Sequence, residues 1–243
     1  MNSKPLIWGH RGASGHAPEN TLPAFQLAAD MGADGVELDV QMTRDGEIVV
    51  CHDETIDRTS SAKGWLKDYT LSELKALDFS CGHLDWEGTK IPTMEEVFDL
   101  LKPTGLTINI EIKTGIIFYE GIEEKLLELT RRKGWEDRVI YSSFNHLTVQ
   151  KIRNLNLDAP TGLLYGDGPL NMPEYAKNIG AVALHPAIYN LQYPRFMEEC
   201  RERELEVNVW TVNSEKEIKY CLDMGVHAII TNYPAKAIKI REN

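Results

Sequence analysis

Val36-Glu-Leu-Asp-Val-Gln41 and Leu106-Thr-Ile-Asn-Ile-Glu-Ile-Lys113 alternate apolar and polar side chains residue by residue. Successive side chains of a strand point to opposite faces. Val36, Leu38 and Val40 therefore share one face, and Glu37, Asp39 and Gln41 share the other. In the second stretch Leu106, Ile108, Ile110 and Ile112 oppose Thr107, Asn109, Glu111 and Lys113. A third sets Val207 and Val209 against Asn208 and Trp210. A strand covered by helices wants its apolar face outward, so the polar sets must point into a closed barrel near its C-terminal end.

The rest of the chain keeps the same rhythm. Strands are predicted around residues 5–10, 34–40, 106–113, 138–142, 160–165, 181–185, 206–212 and 227–231. Helices are predicted around 21–32, 93–102, 119–134, 145–155, 172–179, 193–204, 214–224 and 234–241. The first helix has Asn20 or Thr21 as its cap, Pro23 in its first turn, an apolar stripe of Leu22, Phe25 and Ala29, and Gly32 at its stop. Ser214 with Glu217 reads as a capping box, and Gly225 closes that helix. Eight strand–helix repeats predict an α/β fold, a (β/α)8 TIM barrel. A doubly wound open sheet is the alternative, but it would leave two edges to protect and the first strand has no Gly-rich fingerprint after it.

One stretch breaks the repeat. Thr43-Arg-Asp-Gly46 reads as a turn and Glu47-Ile-Val-Val-Cys-His52 as a short returning strand. An insertion of about forty residues (53–92) follows, far beyond the ~2–6 residues of an ordinary βα loop. It holds Trp65, Tyr69, Trp86 and a small helical pattern at 72–77, and reads as a lid or subdomain above the barrel mouth. No linker divides the chain, so residues 1–243 are expected to form a single domain.

Composition narrows the function. The net charge of −11 argues against nucleic acid or an anionic membrane as a partner. An anionic substrate would need a local positive site. The N-terminal Met-Asn-Ser-Lys-Pro-Leu-Ile-Trp lacks the apolar core of a signal peptide, and no apolar run is long enough to span a bilayer. Cys51, Cys81, Cys200 and Cys221 show no metal-ligand spacing and read as reduced thiols. A cytoplasmic protein with no stable membrane association is expected.

Charges aimed into a barrel are costly unless paired or bound to metal. Glu37, Asp39 and Glu111 against Lys113 leave surplus negative charge. An internal salt-bridge network is one account; a divalent cation held by the three carboxylates is the better one. All-oxygen ligation suits Mg²⁺ or Ca²⁺ above Zn²⁺, and leaves those two open. His10 and His52 end short strands and can both reach the mouth, where histidine supplies acid and base near neutral pH. Arg11 and Lys113 can hold phosphate oxygens. Glu19 and Asn20 can orient these groups, with helix capping an equal account of Asn20. His185, ending a strand in Leu184-His-Pro186, is expected to touch substrate. Tyr165 is evenly balanced between site and core. His16, His83, His146 and His227 read as surface or packing residues, and Trp8 as barrel filling.

These segments together resemble the glycerophosphodiester phosphodiesterase family. The similarity runs through His10-Arg-Gly-Ala-Ser, Pro18-Glu-Asn-Thr21, Gly32-Ala-Asp-Gly-Val-Glu-Leu-Asp-Val40, Thr43-Arg-Asp-Gly46 and His52-Asp53. It continues through Arg58-Thr59, Ile91-Pro-Thr93, Asn109-Ile-Glu-Ile-Lys113, Ser142-Ser-Phe144 and Trp210-Thr-Val212. The resemblance implies a (β/α)8 barrel with a divalent cation that cleaves glycerophosphodiesters, as small-molecule substrates, to sn-glycerol 3-phosphate and an alcohol. By position, Glu37, Asp39 and Glu111 would ligate the metal and His10 and His52 would form the acid–base pair. Arg11 and Lys113 would hold the phosphate, and Trp210 would wall the glycerol. Thr231-Asn232 departs from the pattern, since many relatives carry an acidic residue there. A phospholipase-type lyase is the enzymatic rival and a catalytically silent phosphodiester-binding barrel the other. The oligomeric state is left open.

Overall fold

Eight parallel strands close on themselves in the computed structural model, which describes residues 4–243. Met1-Asn-Ser3, part of the N-terminal stretch read above, lies outside the described residues. The barrel strands are β1 (Leu6–His10), β2 (Gly35–Met42), β4 (Thr107–Ile112), β5 (Val139–Ser143), β6 (Thr161–Tyr165), β7 (Ala183–Pro186), β8 (Glu206–Val209) and β9 (Ala228–Thr231). Each pairs in parallel with its neighbours, and β1 with both β2 and β9 shuts the ring. The ninth strand, β3 (Ile48–Val50), turns back antiparallel on the end of β2, so the hairpin expected at 43–52 is present.

The outer layer consists of α1 (Leu22–Asp30), α3 (Met94–Leu101), α4 (Ile122–Lys133), α5 (His146–Leu155), α6 (Met172–Ile179), α7 (Phe196–Glu202), α8 (Glu215–Met224) and α9 (Pro234–Glu242). Their starts follow local chemistry. Thr21, not Asn20, caps α1 by accepting from the Ala24 amide. Capping boxes open α3 (Thr93, Glu96) and α8 (Ser214, Glu217), and α8 ends at left-handed Gly225. The 193–204 helix is shorter than its pattern, because Arg195 is left-handed and the helix starts only after it, at Phe196.

Alternation sorts the core into two shells. Val36, Leu38, Val40, Ile108, Ile110 and Ile112 pack outward against α1, α3 and α4, while Val207 and Val209 pack against the opposite helices. Trp8, Ile140, Ala183, Ala228 and Ile230 fill the inside. Fully burying one such aliphatic side chain is worth about 1.5–3 kcal/mol. A one-residue slip of β2 would exchange three of them for Glu37, Asp39 and Gln41 in the helix layer, so the register is strongly held.

The insertion carries α2 (Leu71–Ala76) and two 3-10 turns. Ile56, Leu66, Leu74 and Phe79 form a small core, completed by Val49 and Cys51 from the hairpin and by Ile91. It is a satellite of the barrel and borrows part of its interior from it.

Candidate active site

The C-terminal ends of β1, β2 and β4 bring the inward polar residues together. Glu37 and Asp39 sit two apart on β2, and Asp39 is the register partner of Glu111 on β4. All three are buried, and each offers one oxygen within 4.8 Å of the others. Burial, aided by the neighbouring Asp39 charge, pushes the Glu37 carboxyl well above the usual range and Glu111 to about 7. Burial opposes ionisation of Asp39 too, yet Arg11, His52 and Lys113 outweigh it and hold that carboxyl low. Asp39 Oδ1 is buried without a hydrogen-bond partner among the described residues. Three clustered oxygen donors, one of them unmet, fit a hard divalent cation.

β1 delivers His10 and the turn that follows it. Arg11 is left-handed, and its backbone amide donates to Glu37 Oε2 at 3.0 Å. Gly12 lets this turn press on α1: a Cβ there would lie 2.7 Å from the Ala24 carbonyl oxygen. The Arg11 side chain donates to Glu19 Oε1 at 2.8 Å and lies 3.4 Å from Asp39 Oδ2. Asn20, also left-handed, donates from Nδ2 to Asp39 Oδ2 at 2.8 Å. Its alternative account as a cap is therefore excluded; Asn20 orients Asp39.

The two imidazoles are held by different partners. His52 Nδ1 lies 2.6 Å from Asp53 Oδ1, and Arg58 grips both oxygens of Asp53 at 2.7 and 3.1 Å. Arg58 also binds Glu19 at 2.6 and 2.8 Å. A continuous chain thus runs His52–Asp53–Arg58–Glu19–Arg11–Asp39. Burial disfavours the Asp53 anion, but Arg58 and His52 prevail and set its carboxyl at about 2. His10 Nδ1 instead meets the neutral amide of Asn232, 2.6 Å from Oδ1. Burial, reinforced by the Arg11 charge, lowers that imidazole to about 4. Asn232, which departs from the family pattern, is thus the partner of His10. Gln41, read from sequence only as inward-facing, sets its Nε2 2.9, 3.2 and 2.7 Å from the carbonyl oxygens of Cys51, His52 and Asp53, so its two N–H groups hold the segment that carries His52.

A cavity of about 160 Å³ joins these groups, lined by His10, Arg11, Glu37, His52, Asn109 and Glu111, with Phe144, Leu164, Trp210, Thr211 and Ile230 as its apolar wall. It has room for about five waters at ~30 Å³ each. A larger surface groove of about 610 Å³ runs past Gly46, Glu95, Lys125 and Arg132. It shares no lining residue with that cavity, and Glu95, Lys125 and Arg132 belong to α3 and α4. Lys113 stands beside the cavity with Nζ 3.0 Å from Glu111 Oε1. Trp210 stacks edge-on with Phe144 at 5.5 Å and donates from Nε1 to the His185 carbonyl.

One expectation is corrected. His185 is fully buried and does not line the cavity; it lies inside the barrel, where Nε2 accepts from Asn208 Nδ2 at 3.1 Å. Gly162 makes the space, since a Cβ there would come within 2.3 Å of that nitrogen. Burial lowers the imidazole to about 3. Its contribution is the carbonyl that steadies Trp210. The insertion, read as a lid or subdomain, has a small core of its own; none of residues 53–92 lines the cavity, and its Asp53 and Arg58 contact His52 and Glu19. Tyr165 belongs to the outer core, and Trp8 fills the barrel. His146 bonds the Leu164 carbonyl. The mouth also has an apolar rim that the sequence reading does not anticipate. Ile116, Phe118, Phe144, Leu170 and Tyr193 are exposed on loops, where no periodicity marks them, and Leu147 is exposed in the first turn of α5. No helix among the described residues is long and apolar enough to cross a membrane.

The model of the glycerophosphoryl diester phosphodiesterase family matches residues 10–236. A glycerophosphodiester phosphodiesterase of Caldanaerobacter subterraneus subsp. tengcongensis is 41% identical over 238 residues, covering 98% of each chain. One from Bacillus altitudinis is 42% identical over 240 residues, covering 97% of this chain and 98% of its own. The solved structure of an Oleispira antarctica phosphodiesterase in complex with the product sn-glycerol-3-phosphate superposes with a TM-score of 0.90 at 27% identity, covering 99% and 98% of the two chains. With the barrel and the assembled residues, these matches establish that the chain belongs to the glycerophosphodiester phosphodiesterase family.

Proposed function

We propose that this protein hydrolyses glycerophosphodiesters to sn-glycerol 3-phosphate and an alcohol, using a divalent cation held by Glu37, Asp39 and Glu111 and the acid–base pair His10 and His52. A cluster of three carboxylates, two of them lining one small cavity together with both imidazoles, carries the reading. Mg²⁺ and Ca²⁺ both suit the oxygen donors. When bound, such a cation would oppose the charge that builds on a phosphoryl oxygen.

The residues divide the remaining work. Arg11 and Lys113 stand at the cavity as fixed positive groups for the non-bridging oxygens. His10, kept neutral by burial and by Arg11, accepts a proton from water as the water oxygen bonds to phosphorus. His52, with the Asp53 anion behind it, gives a proton to the leaving alkoxide as the bond from phosphorus to that oxygen breaks. The protons then redistribute through solvent and the pair is reset. Trp210 and Phe144 wall the glycerol and exclude water. The free thiols of Cys51, Cys81, Cys200 and Cys221 fit a reducing cytoplasm.

The test is turnover of glycerophosphocholine, glycerophosphoethanolamine and glycerophosphoglycerol, with product followed by phosphorus NMR. EDTA should abolish release of sn-glycerol 3-phosphate, and Mg²⁺ or Ca²⁺ should restore it. An intact substrate panel with cation supplied would defeat the proposal; accumulation of a cyclic phosphate would favour the lyase.

A further inference from the structure

Asn109 lies on the cavity wall, fully buried, between two of the carboxylates that would hold the cation. It is the register partner of Glu37 on β2 and precedes Glu111 by two residues on β4, so the three side chains point inward together. Ser142 Oγ, on the β5 side, donates to Asn109 Oδ1 at 2.9 Å. That bond fixes the plane of the amide. The other edge, Nδ2, is buried with no hydrogen-bond partner among the described residues. A buried donor left unmet is unfavourable, and such a group in a native site calls for an acceptor.

Glu37, opposite Asn109 across the strands, and Glu111, two residues farther along β4, share its inward face, and their charge sets which end of the amide turns towards them. Acidic groups repel a carbonyl oxygen and attract an N–H, so the orientation in which Ser142 takes the oxygen is the electrostatically favoured one. Glu37 has acceptor capacity left: its Oε2 takes the Arg11 amide, and a carboxylate has about four lone-pair sites.

We infer that Asn109 is a positioning residue for the cation site, its Nδ2–H donating to Glu37 when the three carboxylates gather around a bound divalent ion. The donor would take lone pairs that the ion leaves free and hold the carboxylate in its ligating rotamer. Groups behind metal ligands act in this way, and removing one typically weakens metal binding about 10–100-fold. Ser142 extends the arrangement by one further residue, since without it the amide is free to rotate. This role rests on the proposed cation site at Glu37, Asp39 and Glu111.

Calorimetric titration of the full-length protein with Mg²⁺, and separately with Ca²⁺, tests it without substrate. Asn109→Leu keeps the side-chain volume and removes the donor. Binding should weaken about 10–100-fold, while the melting temperature of the cation-free protein stays close to wild type. Ser142→Ala, which keeps the amide and releases its orientation, should weaken binding by a smaller factor. It supplies the answer if Asn109→Leu fails to fold. Wild-type affinity in a folded Asn109→Leu protein, or in Ser142→Ala when that is the only folded variant, overturns the inference. A wild-type protein that binds neither ion would instead overturn the cation site itself.

Discussion

The two flanks of the barrel mouth are built on opposite principles. On β1, β2, β4 and the segment 51–58, nearly every inward group is charged or polar and is held by a neighbour through a short bond. On β5 to β9 the facing wall is Phe144, Leu164, Trp210 and Ile230, and the loops beyond it expose further apolar side chains. One flank concentrates field and protons. The other displaces water, which strengthens every electrostatic contact across the gap. The ionisable groups that line the cavity are therefore confined to one side of the ring, while the remainder shapes the volume that they face.

Removing the imidazoles should break the charged flank most severely. His10→Ala or His52→Ala should each lower kcat by about 10²–10⁴, the usual worth of general acid–base catalysis. Steady-state turnover of a folded variant at near wild-type rate would remove that histidine from the mechanism. A milder cut is Asp53→Asn, which leaves His52 in place and weakens its support. We expect kcat to fall about 10–100-fold, in keeping with supporting groups elsewhere.

The same variant has a pH signature. The Asp53 carboxyl sits at about 2, below its ordinary 3.8, so its ionised form stabilises the fold above the ordinary value and this contribution is lost as pH falls through about 2. Asp53→Asn, lacking that contribution, should lose less stability than wild type between pH 4 and pH 2. Urea denaturation across that interval checks it; parallel losses would contradict the assignment.

The apolar flank should respond differently. Phe144→Ala removes wall without touching a proton-bearing group, so KM should rise about tenfold with kcat much less changed, at the low end for an apolar pocket contact. A collapse of kcat alone would show that the wall positions the reacting centre as well. Farther out, Thr93→Ala deletes the cap of α3 and should cost about 1 kcal/mol of stability, seen as a lower melting temperature, with turnover unchanged.

Much of this was legible beforehand because alternation with period two is a local property. Glu37, Asp39 and Glu111 lie where their strand pattern puts them, and the capping box at Ser214 and the glycine stop at Gly225 follow from adjacent residues alone. His185 was misplaced by the same reasoning. Its strand direction was right and pointed it inward, but whether inward meant cavity or core depended on the depth of the layer and on the absence of a side chain at Gly162. Asn20 and Thr21 are equal candidates for the cap by residue type, and only the fold, which brings Asp39 within reach of the Asn20 amide, separates them.

Sequence by itself determined the strand–helix alternation, the inward faces of β2, β4 and β8 and the chemical types that they carry, because those depend on neighbours one to four residues away. Tertiary structure alone decided the pairings between distant segments. Asn232 meets His10 across 222 residues and Arg58 meets Glu19 across 39. It also decided which buried polar groups remain unmet and where loop side chains form an apolar rim. Those outcomes depend on how the ring closes and on the few tenths of an ångström that separate a hydrogen bond from a missed contact, quantities that no local pattern encodes.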